Sequence, residues 1–116
     1  MTKQWEEASH GEAQVQMMTA ASNILDQGVA QDCPICGAGH LRYYCRSYSF
    51  SPDRGTIWVW CPNCRNWLHL GRVQLHFQFA DPIDDATTKA FGSRPAGDWI
   101  DYLNELWMQG KLTGSG

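Results

Sequence analysis

Four of the five cysteines in this 116-residue chain fall into two pairs of equal spacing, Cys33-Pro34-Ile35-Cys36-Gly37 and Cys61-Pro62-Asn63-Cys64. Two thiolates three positions apart can both point inward from one tight turn, and two such turns supply four sulfurs to a tetrahedral metal site. Proline fixes φ within each turn, and Gly37 lets the backbone bend back under the metal. Cys33, Cys36, Cys61 and Cys64 are therefore the expected ligands of one structural Zn2+. Iron in the same four sulfurs would imply electron transfer, and a redox dithiol is the other reading. A thioredoxin-type dithiol needs its Cys-x-x-Cys at a helix start after a strand, and neither pair has that setting.

The remaining chemistry-bearing residues read as structural. Cys45 falls in mid-strand as a small buried hydrophobe. His40 can approach the metal, but four sulfurs already close its shell. His69 reads as a packed histidine near the site and His76 as a solvent-facing strand residue. There is no Ser/His/Asp set, no carboxylate pair with a plausible base and no phosphate loop, so the expectation is a protein that is not an enzyme.

The two knuckles resemble those of zinc ribbons of the rubredoxin-like kind, over residues 33–73. The resemblance implies a three-stranded antiparallel sheet clamped by one zinc, and implies no single function. Arg65 stands where a glycine often follows the second pair, which predicts a less regular turn there. The whole chain also resembles small bacterial zinc-ribbon proteins of toxin–immunity loci. That resemblance implies a protein partner, a toxin, which the chain would neutralise.

The elements that must position the cysteines follow from periodicity. Met17, Ala20, Ala21, Ile24 and Leu25 recur at helical spacing, which predicts a helix over 11–27 with a Ser9/Glu12 capping box and Gly28 at its end. Between the knuckles, 41–50 and 56–61 alternate as two strands about a turn at Ser51-Pro52-Asp53-Arg54-Gly55. Arg42, Tyr44, Arg46, Tyr48 and Phe50 share one face, and Trp58 and Trp60 share a face of the second strand. The third strand runs from Trp67 towards Phe79, with Trp67, His69, Val73, Leu75 and Phe77 of one parity and Gly71 a bend or bulge. A helical segment over 81–110 begins at Asp81-Pro82. After a linker, Asp98 caps a second helix with the stripe Trp99, Tyr102, Leu103, Leu106 and Trp107. Residues 1–9 and 111–116 are expected to be loose. The predicted fold is one α+β domain over 1–116, a ribbon over 33–79 with helices packed on it.

Charge is unevenly placed behind a net value of −3. The ribbon carries Arg42, Arg46, Arg54, Arg65 and Arg72 against Asp53 alone, and both flanks are acidic. An acidic surface suits a basic protein partner. The alternative is nucleic-acid binding through the interleaved Arg42, Tyr44, Arg46 and Tyr48. No apolar run is long enough to span a bilayer and no signal segment is visible, so a cytoplasmic protein is expected.

Overall fold

The computed structural model describes residues 4–29, 31–38, 40–76 and 81–112. In chain order they form β1 (Glu6–Glu7), α1 (Gly11–Gln27), β2 (Arg42–Tyr48), β3 (Ser51–Trp60), β4 (Asn66–Gln74), α2 (Asp85–Phe91) and α3 (Ala96–Met108). The fold is mixed α+β, as expected, but the sheet has four strands and not three. Its order is β1-β4-β3-β2, with β1 parallel to β4 and the other pairs antiparallel. The added strand comes from the segment read as loose. Glu6 N–H donates to the Arg65 carbonyl at 2.8 Å, and Ala8 N–H donates to the Trp67 carbonyl at 2.8 Å.

Alternation along β3 gives the sheet two buried faces. Ile57, Val59 and Cys61 join Leu41, Tyr43 and Cys45 under α1, whose buried residues are the predicted Met17, Ala20, Ala21, Ile24 and Leu25. Trp58 and Trp60 face the other way, with Tyr44 and Trp67, against Trp99, Ile100, Leu103 and Leu106 of α3. Trp107 packs against both clusters, meeting Tyr43 at 5.6 Å and Trp60 at 6.2 Å between ring centroids. The second cluster is largely aromatic, with Trp99 edge-on to Trp58 at 5.5 Å and to Tyr44 at 5.9 Å. Such pairs add about 1 kcal/mol each beyond the area they bury.

Several boundaries differ from the sequence expectation. The hairpin turns at Ser49-Phe50, and 51–55 belongs to β3, where Arg54 and Gly55 pair with Gln74 and Val73 of β4. Gly55 is required there. A Cβ at this position would lie 1.9 Å from the Arg46 carbonyl oxygen, so β2 can approach only a glycine. The β3–β4 register slips by one residue between Gly55 and Ile57, opposite Gly71 and Arg72, and Arg72 takes a left-handed φ of 56°. This bulge reverses the parity of β4. Trp67 therefore faces α3, whereas Val73 and Leu75 face α1. The predicted continuation through Phe77 and Phe79 lies outside the described residues.

The helix ends also shift. His10, not Ser9, precedes α1 and caps nothing with its side chain, so the capping box does not form; Gly28 takes the expected left-handed turn at φ 67°. α2 starts at Asp85, because Asp84 and not Asp81 accepts the Thr87 N–H at 2.7 Å. α3 begins at Ala96, with Asp98 inside its first turn. It ends as a Schellman turn, Lys111 N–H donating to the Leu106 carbonyl at 3.0 Å. Leu112 follows and is buried in the second cluster, so the described part of the tail is anchored.

Candidate metal centre

The two knuckles are built the same way. Gly37 N–H donates to the Cys33 carbonyl at 2.9 Å, and Arg65 N–H donates to the Cys61 carbonyl at 2.9 Å. Both Gly37 and Arg65 have φ of 66°. The second turn is thus as regular as the first, contrary to expectation. The cost of a left-handed arginine is offset by its surroundings: the Arg65 guanidinium lies over the Trp5 ring at 4.4 Å and 3.8 Å from Asp101.

These turns bring the four sulfurs of Cys33, Cys36, Cys61 and Cys64 within 4.8 Å of one another. The Cys33–Cys64 and Cys36–Cys61 sulfurs are 3.7 and 3.6 Å apart. A tetrahedral ion with metal–sulfur bonds of about 2.3 Å requires sulfur–sulfur edges of about 3.8 Å, whereas a disulfide requires about 2.05 Å. The donor set fits a four-thiolate metal ion. It joins the entrance of β2 to the exit of β3, with Cys33 and Cys61 buried beneath α1 and Cys36 and Cys64 half-buried.

Amides around the site favour thiolates. The Asn63 side-chain amide donates to the Cys36 sulfur at 3.4 Å, the Asn66 amide to Cys64 at 3.3 Å, and the Cys64 backbone N–H to Cys61 at 3.5 Å. The Asn63 contact is the main reason that the Cys36 thiol is lowered to about 6. Burial acts oppositely on Cys33, which is raised, and on Cys61, pushed up to about 12. A bound cation would hold all four as thiolates. Burial lowers Arg42, and Asn104 holds it: the Asn104 side-chain oxygen accepts from Arg42 at 2.7 Å and from the Trp60 indole at 2.9 Å.

The other candidates lie elsewhere. His40 pairs with Asp32 at 2.8 Å on the surface and is not part of the sulfur cluster. His69 stacks on Trp58 at 4.3 Å and meets the Thr56 hydroxyl. Cys45 is buried under α1, which pushes its thiol up to about 12. Arg46 is consumed within the fold, bonded to Asp81, Asp85, the Tyr44 hydroxyl and the Ile83 carbonyl. Asp85 thus diverges from Asp84, as adjacent helical positions must. With Arg42 also bound to Asn104, the Arg42, Tyr44 and Arg46 part of the face singled out for nucleic acid is engaged by α3 and the segment before α2, whereas Tyr48 lies at the open turn end of the hairpin. Sequence reasoning passed over Trp5, which stacks under Arg65 and donates to Asp101, and read Asp81 as a helix start rather than as the carboxylate that anchors Arg46 and Tyr44. Neither role carries a periodicity or spacing signal.

No known family model, curated protein or solved structure matches the chain. The four-sulfur geometry is consistent with a zinc-ribbon-like pair of knuckles. Among the described residues, no helix is long and apolar enough to cross a membrane.

Proposed function

We propose that this chain is a small, non-enzymatic protein-binding module clamped by one structural zinc ion. The observation that carries the reading is the four-sulfur cluster, within 4.8 Å at the base of the hairpin. Four thiolates around a tetrahedral ion leave no position for water or substrate, so the ion acts as a cross-link. Such binding supplies on the order of 10 kcal/mol, comparable to the whole stability of a domain. Unbridged cysteines at metal spacing suit a reducing compartment, and we place the protein in the cytoplasm.

The distribution of charge supports a basic protein as the partner. Glu6, Glu7, Glu12 and Asp26 form no ion pair among the described residues. Val15 and Met18 stand exposed on the same helix as Glu12, at 61% and 42%. Exposed apolar side chains on an acidic chain segment are suited to docking a basic protein. The concrete form of this reading is an immunity protein that masks a bacterial toxin. Pull-down from the native host with the tagged chain should recover one basic protein in near-equal amount, and Val15→Glu with Met18→Glu should abolish recovery. An empty pull-down, or recovery unchanged by that double variant, contradicts the reading.

A further inference from the structure

We propose that the turn end of the β2–β3 hairpin is a binding site for single-stranded nucleic acid, formed by residues outside α1 and the metal centre. The site is made of Tyr48, Phe50, Arg54 and Arg72, which line an open groove of about 520 Å³. Tyr48 and Phe50 stack with centroids 5.2 Å apart and planes at 17°. Phe50 is 83% exposed, the most exposed large hydrophobic residue among those described. Two-residue hairpin turns ordinarily carry glycine, asparagine or aspartate. A bare phenyl ring there contributes little to the fold and leaves an aromatic face free.

The cations beside it are also free. Arg42, Arg46, Arg65 and Arg94 each hold a partner side chain. Arg54 and Arg72 are exposed and form no ion pair among the described residues. The nearest acid in sequence, Asp53, accepts from the Ser51 hydroxyl at 2.8 Å and does not line the groove. The ring pair is fixed from β4, where the Arg72 backbone N–H donates to the Tyr48 hydroxyl at 2.9 Å. The β4 bulge thus seats one cation of the groove and its tyrosine together.

An exposed aromatic stack flanked by two unpaired guanidiniums matches the chemistry of a single strand: base face on ring, phosphate on arginine. A duplex hides its base faces, and an acidic peptide would occupy the arginines and leave the rings unused. This inference does not depend on the α1 surface.

The test is fluorescence anisotropy of the full, metal-loaded chain with a short labelled oligothymidylate. Binding should weaken with salt at a logarithmic slope of about −1.4, the value for two phosphates on a single strand. Phe50→Ala should weaken it about fivefold or more. Arg72→Gly keeps a residue suited to φ 56° and should reduce the slope by about 0.7. Val15→Glu with Met18→Glu should leave it unchanged. No binding at about 0.1 M salt, equal binding of duplex or polyglutamate, or an unchanged affinity in Phe50→Ala would overturn the proposal.

Discussion

At position 65 the structure predicts an inverted order of substitutions. Arg65 holds φ of 66°, where a Cβ costs about 1–2 kcal/mol that glycine avoids. Its side chain returns about 0.5–2 kcal/mol from the Trp5 ring at 4.4 Å, and at most about 1 kcal/mol from Asp101 at 3.8 Å. Arg65→Ala keeps the strain and loses both contacts, so it should destabilise by about 1–2 kcal/mol. Arg65→Gly loses the contacts but relieves the strain, and should fall within about 1 kcal/mol of the parent. Glycine should therefore exceed alanine by about 1 kcal/mol, the reverse of the usual ranking. Gly37→Ala provides the control, since its Cβ would meet nothing within 4 Å and its cost is conformational alone. Urea midpoints at constant slope measure all three. An Arg65→Ala protein as stable as Arg65→Gly would refute the account of the second knuckle.

Three further outcomes follow from the packing and titration. Gly55→Ala should cost more than about 3 kcal/mol, because its Cβ would collide with the Arg46 backbone; urea denaturation measures this. Asn104→Leu should cost about 2–4 kcal/mol by the same measurement, because it strips one acceptor from both Arg42 and the buried Trp60 indole. Burial raises Cys45 to about 12, whereas an unfolded thiol ionises near about 8.5. The native state then holds the proton that the unfolded state has lost. Cys45's share of stability is intact below about pH 8.5 and falls by up to about 1.4 kcal/mol per pH unit towards pH 12. Denaturation of Cys45→Ala at rising pH should show a correspondingly flatter decline.

What the sequence revealed tracks how local each signal is. The four-sulfur cluster was legible because Cys-x-x-Cys spacing acts within one turn, and α1 was legible because five apolar residues recur on one face. β1 was not: two glutamates have no alternation, and they pair only because Arg65 and Trp67 offer backbone partners across the sheet. The side assignment of β4 failed at Gly71-Arg72, since a bulge changes parity without changing composition. The turn was misplaced because Pro52, Asp53 and Gly55 are turn-formers by type. Gly55 is needed instead for a close approach between strands. The Arg42/Arg46 face resembled a free basic strip because Asp81, Asp85 and Asn104, which engage it, are 35 to 62 residues away.

The four-thiolate centre is tested most directly by X-ray absorption on protein purified without added metal. The account predicts one zinc per chain with four sulfur neighbours at about 2.3 Å and no nitrogen or oxygen in the first shell. Iron in the site, an oxygen or nitrogen neighbour replacing a sulfur, or metal-free folded protein with paired disulfides would contradict it.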